Sequence, residues 1–275
     1  MTLLQALVLG LVQGATEFLP VSSSGHLVLV PWLLGWHGVG ESDLAFDALV
    51  HWGTLVAVFI YFWRDIWQIA VAVWDGVRHR DPAGTPEARL GWYILVGSIP
   101  AALIGLLLED WFDAIFGSPN TAAGLLFGTA GLLFFAERSG RQDRELDSMR
   151  WGDAILIGLA QALAIFPGIS RSGATIAAAL KRGLSRGDAA RYSFLLGVPA
   201  VAGAGAIQLL KLLQAGNLSG RVDTLLIGFL SAAVVGYLAI HSLLLFLRRR
   251  PLTIFAVYCA LFGGISLVVY ALRTW

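Results

Sequence analysis

Residues 13–28 read Gln13-Gly14-Ala15-Thr16-Glu17-Phe18-Leu19-Pro20-Val21-Ser22-Ser23-Ser24-Gly25-His26-Leu27-Val28, and residues 161–176 read Gln161-Ala162-Leu163-Ala164-Ile165-Phe166-Pro167-Gly168-Ile169-Ser170-Arg171-Ser172-Gly173-Ala174-Thr175-Ile176. At a constant offset of 148 they agree at Gln13/Gln161, Phe18/Phe166, Ser22/Ser170, Ser24/Ser172 and Gly25/Gly173, and Gly10-Leu11 returns as Gly158-Leu159. Small residues recur by chance in apolar chains, but ordered matches of this density mark a duplication. Each copy lies in an apolar stretch, 1–35 or 151–180, interrupted by Pro20 and Gly25 or by Pro167, Gly168 and Gly173. A straight helix of about 30 residues would be about 45 Å long, against a hydrocarbon core of about 30 Å. Each stretch therefore crosses twice or turns back halfway.

The rest of the chain shows why a bilayer is its solvent. Of 275 residues, 57% are hydrophobic and only 13% are charged, with a mean hydropathy of +0.74. A soluble domain carries about 25% charge. Nucleic-acid binding is excluded, because 19 Lys and Arg against 18 Asp and Glu leave a net charge of +1 and no basic surplus to displace counterions. The single Cys259 lies in an apolar run, so no disulfide framework or thiolate metal site exists. Met1 to Leu11 has no basic n-region and no small-residue cleavage site follows it, so it reads as part of the mature protein.

Six segments are apolar enough to span: about 45–63, 90–108, 119–137, 192–211, 224–247 and 252–272. Arginine-rich short loops stay in the cytoplasm. Loop 64–89 holds Arg64, Arg78, Arg80 and Arg89; loop 138–150 holds Arg138, Arg141, Arg144 and Arg150; 181–191 holds Lys181, Arg182, Arg186 and Arg191; and 248–250 is three arginines. All four read as cytoplasmic. Loop 109–118, with Glu109, Asp110 and Asp113 and no cation, reads as external, as do 36–44 and 212–223, although Arg221 runs mildly against the rule. Segment 151–180 then dips in from the cytoplasmic face and 1–35 from the outer one. The expected fold is an all-α integral membrane protein of six full transmembrane helices plus two re-entrant helix pairs. It forms one membrane domain in two halves, about 1–148 and 149–275, as an inverted-topology repeat. Such folds place their site where the two broken helices meet near the midplane.

Glu17 is a carboxylate in an apolar segment, a costly placement unless it is paired or bound to metal. Gln13, at i−4, faces the same way. Ser22, Ser23, Ser24, Gly25 and His26 offer hydroxyls, backbone N–H groups and an imidazole; the structural alternatives are helix capping for a serine and a satisfied core histidine for His26. Arg171 is the one cation between 151 and 180, and it calls for a phosphate or a carboxylate, the structural alternative being an ion pair with Glu17. Gly168 and Gly173 allow close backbone approach, and Ser170, Ser172 and Thr175 at a helix start form an anion cradle. One carboxylate, one imidazole, one guanidinium and many hydroxyls point to phosphate chemistry.

The stretch from Gln13 to His26 and the stretch Pro167-Gly-Ile-Ser170-Arg171-Ser172-Gly-Ala-Thr175 resemble the two signatures of the undecaprenyl-diphosphate phosphatase family, also called bacitracin-resistance proteins. The first is similar to its (E/Q)xxxE motif and following serines, and the second to its PGxSRSxxT motif at every fixed position. Phe46-Asp47-Ala-Leu-Val-His51-Trp-Gly53-Thr54 is also similar to a family stretch.

The resemblance implies hydrolysis of the C55 isoprenyl diphosphate to the monophosphate, recycling the carrier lipid of peptidoglycan synthesis and conferring bacitracin resistance. It also implies a divalent cation, Mg2+ or Ca2+, and a place in the bacterial inner membrane with the site toward the periplasm. Carried over by position, Glu17 is the acidic and metal-binding residue and His26 the acid/base. Arg171 acts with Ser170, Ser172 and Thr175 on phosphate, with Gln13, Ser22, Ser24 and Gly168 lining the site. Gln13 stands where many members have Glu, so a two-carboxylate metal site is not assumed. Ser23 is the expected nucleophile with His26 three residues on as its base; Ser22, or water activated by Glu17 and a metal, are the alternatives. The expected partners are the lipid substrate, the bilayer and a second copy of the chain as a homodimer. The competing class is a secondary transporter or lipid-carrier flippase, which also uses inverted repeats of broken helices; a membrane scaffold would need no Glu17, His26 and Arg171 at bilayer depth.

Overall fold

The computed structural model describes residues 1–36, 44–116, 118–139, 141–215 and 221–274, and everything below concerns those residues. They form eleven α-helices, two short 3-10 turns and no strand beyond an isolated bridge between Arg144 and Leu184. The helices are α1 (Leu3–Phe18), α2 (Ser23–Leu33), α3 (Leu44–Tyr61), α4 (Trp63–Arg78), α5 (Pro86–Phe116), α6 (Pro119–Glu137), α7 (Trp151–Ala162), α8 (Arg171–Lys181), α9 (Arg186–Ala215), α10 (Val222–Leu247) and α11 (Thr253–Thr274). Five of them, α5, α6, α9, α10 and α11, are long and apolar enough to cross a membrane, and α3 and α4, which pass the same test only as a pair, are bent by 79° to each other. The chain is a multi-pass membrane protein. Its exposed apolar side chains, such as Leu95, Ile99, Phe135, Leu238, Leu261 and Leu272, coat the outside of the bundle, as lipid solvation requires.

Both interrupted segments break where the sequence places their Pro and Gly residues. Leu19 before Pro20 is extended (φ −61°, ψ 139°), as the residue before proline must be, so α1 ends at Phe18. α2 then starts from an N-cap at Ser22, whose Oγ accepts from the Gly25 amide at 3.2 Å. The second segment repeats this at the same offset: Ser170 caps α8 and its Oγ accepts from the Gly173 amide at 3.0 Å. α1 packs on α2 and α7 on α8, so each segment folds back on itself.

Each first half-helix lies in a groove that only glycine allows. A Cβ on Gly10 would stand 2.6 Å from the Gly228 carbonyl oxygen of α10, and one on Gly158 2.3 Å from the Gly97 carbonyl oxygen of α5. Side-chain loss at these points lets the backbones touch, the usual device for helix association in lipid.

Three stretches differ from the loops expected. Residues 63–78 form α4 because their apolar positions recur at helical spacing among the charges. Helix α5 continues to Phe116 through the acidic 109–116, and α9 begins at Arg186 and continues to Ala215. The expected outer loop 36–44 lies mostly, and 216–220 of loop 212–223 wholly, outside the described residues, as do the side chains of Glu109, Asp110 and Asp113.

The arginine-rich ends do gather at one end of the bundle. Asp153, fully buried, accepts from Arg144 Nη2 at 2.9 Å and from Arg182 Nε at 2.5 Å, Glu137 pairs with Arg186, and Asp65 with Arg191.

Candidate active site

The two loops between the half-helices cross at their glycines. A Cβ on Gly25 would stand 3.2 Å from Gly168 Cα, and Gly168 itself adopts φ +103° with the Ala122 carbonyl oxygen 2.4 Å from where a Cβ would be. No L side chain fits either demand at Gly168. Each loop is tied to a spanning helix at the same repeat position. Thr129 Oγ1 of α6 donates to the Gly168 carbonyl at 2.8 Å and accepts from the Ser170 amide at 2.9 Å, while Cys259 Sγ of α11 contacts the Pro20 carbonyl, the counterpart of Gly168, at 3.8 Å. Ser172 Oγ joins the loops by donating to the Leu19 carbonyl at 3.2 Å.

Glu17, at the end of α1, is the hub of the crossing and is 7% exposed. Its Oε1 accepts from Arg171 Nη2 at 2.8 Å, and its Oε2 accepts from Ser23 Oγ at 2.6 Å and from Gln13 Nε2 at 3.1 Å. Ser23 and Arg171 stand 148 residues apart, each the first residue of its half-helix, so the two loops present their N-terminal side chains to one carboxylate. Four of the expected residues are thereby brought together. The ion pair weighed as the structural alternative for Arg171 is present, and the guanidinium spans it and the Ser193 carbonyl, to which Nη1 donates at 3.2 Å.

The geometry corrects the partner expected for Ser23. His26 does not meet its hydroxyl. The imidazole is 3% exposed and stacks on Phe262 at 4.6 Å between centroids; Nδ1 lies 2.7 Å from the Ser22 carbonyl and Nε2 2.8 Å from the Tyr258 hydroxyl. A carbonyl only accepts, so in the neutral ring Nδ1 carries the proton and Nε2 accepts from tyrosine. Stacking against α11 outweighs the helical spacing that would have aimed His26 at Ser23. The imidazole that does face the site is His51 of α3. Its Nδ1–H is held by the Asp47 carbonyl at 2.7 Å, and its Nε2 stands 4.0 Å from Glu17 Oε2. His51 enters the sequence reading only as part of the stretch from Phe46 to Thr54; a polar side chain beside Asp47 and Thr54 in an otherwise apolar helix is its signal. Thr129 and Ser193 carried none.

The remaining expected residues serve the crossing. Ser22 is held at φ 72°, ψ 97°, outside the ordinary regions for serine, with its hydroxyl committed to the cap. Ser24 Oγ is 3.4 Å from Ser22 Oγ. Ser170 and Ser172 are buried with their hydroxyls 3.1 Å apart, and Thr175 Oγ1 is bound to the Arg171 carbonyl at 2.8 Å and to Ser193 Oγ at 2.7 Å. These hydroxyls are spent on structure.

A narrow cleft leads away from Glu17 and Arg171 between α3 and α9, walled by Leu55, Val58, Phe194, Val198 and Val201. The donor set does not fit a protein-held divalent cation. Both oxygens of the one carboxylate already accept hydrogen bonds, the guanidinium beside it repels a cation, the one spare oxygen next to it is the unpartnered Oε1 of Gln13, and among the described residues no three His, Cys, Asp or Glu side chains converge.

A family model described as bacitracin resistance protein BacA matches residues 6–265. The chain is 46% identical to the undecaprenyl-diphosphatase of Thermomicrobium roseum over 276 residues, covering 98% of each chain. It is 46% identical to that of Moorella thermoacetica, covering 99% of this chain and all of the relative, and 44% identical to that of Methanosphaera stadtmanae, covering 97% and 98%.

Proposed function

The chain belongs to the bacitracin resistance protein family, and from that premise we propose that it hydrolyses undecaprenyl diphosphate to undecaprenyl phosphate and inorganic phosphate, with Ser23 as the nucleophile. The observation that carries the reading is the Ser23 hydroxyl donated to Glu17, whose other oxygen holds Arg171. The arriving phosphate competes for the guanidinium, because a dianion offers Arg171 more than a shared carboxylate does. Release of Arg171 leaves the Glu17 carboxylate without its counter-charge, beside the Ser23 hydroxyl. Glu17 then takes the Ser23 proton as Oγ attacks the terminal phosphorus, and the bond from phosphorus to the bridging oxygen breaks with its electron pair leaving on the prenyl phosphate. Glu17 passes that proton to the departing prenyl phosphate, and as a carboxylate again it takes a proton from the water that attacks the phosphoserine and returns it to Ser23 Oγ as the P–Oγ bond breaks and inorganic phosphate leaves. Arg171 balances charge on the transferring group in both steps. Ser22 is disfavoured as nucleophile, since its oxygen already accepts the Gly25 amide.

Dependence on Mg2+ or Ca2+ would arise from the diphosphate's own oxygens with Glu17 as the protein contact, and no step here runs through a metal.

The reading places the arginine-rich end in the cytoplasm of a bacterial inner membrane, and the site toward the periplasm. It takes the two halves as inverted repeats. Support comes from contact exchange: α1 packs on α10 as α7 does on α5, and α3 on α10 as α9 does on α5. Assembly as a homodimer belongs to the same reading.

Purified protein in detergent should release phosphate from undecaprenyl diphosphate, and Ser23→Ala should not. A protein that moves the carrier lipid across vesicles without releasing phosphate would be the transporter alternative instead.

A further inference from the structure

Helix α4 leaves α3 at 79° and buries none of its residues, yet it carries six aromatic or branched aliphatic side chains between Trp67 and Val77 alone. At about 100° per residue its sixteen positions fall into three sectors. Asp65, Ile66, Ile69, Ala72, Val73 and Gly76 share one arc and are all half-buried, Val73 and Ile69 lying against Gly91 of α5. The next arc, about 120° wide, holds Trp63, Trp67, Ala70, Val71, Trp74 and Val77, all exposed, with Trp67 at 67% and Trp74 at 70%. The third holds Arg64, Gln68 and Asp75, exposed and polar, while Arg78, the last residue of the helix, falls between Trp67 and Val71 at the border of the two exposed arcs.

A helix lying between protein and water needs two sectors. Three are needed where protein, lipid and water meet along one line. We propose that α4 lies in the plane of the membrane at the arginine-rich end of the bundle, its tryptophan stripe among the lipid headgroups and upper acyl chains.

The occupant follows from continuity and chemistry. The stripe begins where the outer wall of α3 ends, at exposed Phe59 and Ile60, so lipid already solvates the surface it extends. Tryptophan, with an apolar ring and one N–H donor, favours the headgroup level of a bilayer over either water or the acyl core. Arg64 on the water-side arc lies over the Trp63 ring at 5.4 Å to the centroid, where it can reach lipid phosphates.

The test uses spin labels on single cysteines in a Cys259→Ser background, reconstituted in vesicles of phosphatidylethanolamine and phosphatidylglycerol. Labels at Trp67→Cys, Val71→Cys and Trp74→Cys should collide freely with oxygen and poorly with an aqueous nickel chelate; labels at Arg64→Cys, Gln68→Cys and Asp75→Cys should show the reverse. Val71→Cys removes no tryptophan and keeps the comparison available where a tryptophan variant misfolds. Equal nickel access on both arcs would put the helix in water and overturn the proposal. Exclusion of both reagents from the tryptophan arc would overturn it equally, by assigning the stripe to a second copy of the chain. Neither readout depends on phosphatase activity.

Discussion

Ser23→Ala deletes the hydroxyl that Glu17 Oε2 accepts at 2.6 Å while leaving that carboxylate its bonds to Arg171 and Gln13. A hydrogen bond to a charged group contributes about 1.5–3 kcal/mol, and with two other donors remaining the stability loss should lie at the lower end, about 1.5 kcal/mol. Turnover should respond on another scale. If Oγ forms the bond to phosphorus, kcat falls by at least about 1000-fold, roughly 4 kcal/mol of transition-state stabilisation. KM should stay within about threefold, because Arg171 still binds the phosphate. Ser22→Ala is the control from the next residue. It removes the cap on the Gly25 amide, worth about 1 kcal/mol of stability. Its kcat should drop by less than about tenfold, the worth of one hydrogen bond. The pair separates stability from chemistry, since both variants lose similar folding free energy. Phosphate release from undecaprenyl diphosphate, measured beside thermal unfolding in the same detergent, reads both quantities. Comparable residual turnover in the two variants would refute the assignment and move the attack to water, in which case Glu17→Gln becomes the most damaging change.

Arg171→Lys should fail nearly as badly as Arg171→Ala, by roughly 30- to 1000-fold in rate, because one ammonium cannot span Glu17 and the Ser193 carbonyl as the two Nη atoms do; wild-type turnover in the lysine variant would remove the phosphate clamp. Thr129→Val leaves the Gly168 carbonyl and the Ser170 amide buried without their partner and should cost about 2–4 kcal/mol in unfolding experiments, whereas Thr129→Ser should recover most of it. A chelator should leave the melting temperature of the substrate-free protein unchanged, since no cluster of side chains holds a cation among the described residues; a drop would reveal a structural metal. In a Cys259→Ser background, Ser148→Cys should label from the cytoplasmic side and Ser118→Cys from the other, and labelling of both from one face would undo the inverted arrangement.

Much of the architecture is legible in the one-dimensional pattern because lipid imposes simple rules on it. Long apolar runs must be helices there, since no water is present to satisfy a bare backbone, and the breaks at Pro20 and at Pro167-Gly168 fall where proline and glycine forbid helix. The gathering of arginines at one end follows from the same reading, and so does the ion pair of Glu17 with Arg171, which stood as the structural alternative for that arginine. Residues 64–89 show its limit: their charges read as a loop, while the apolar period running through them carries the stronger local preference and makes α4.

What the sequence by itself determined is the set of elements, their interruptions and the chemical inventory of the two loops. Which of those groups face one another was decided only in three dimensions. Spacing put His26 on a face with Ser23, yet contacts more than 200 residues away, with Tyr258 and Phe262, drew its ring to α11 and left His51 beside Glu17. The same holds for the second loop, where Ser170, Ser172 and Thr175 read as an anion cradle but bond to Gly173, Leu19 and Ser193. A hydroxyl or an imidazole has the same identity whether it meets substrate or closes a packing contact. Its role depends on which helix lies against it, and helix packing is a non-local outcome that residue spacing does not encode.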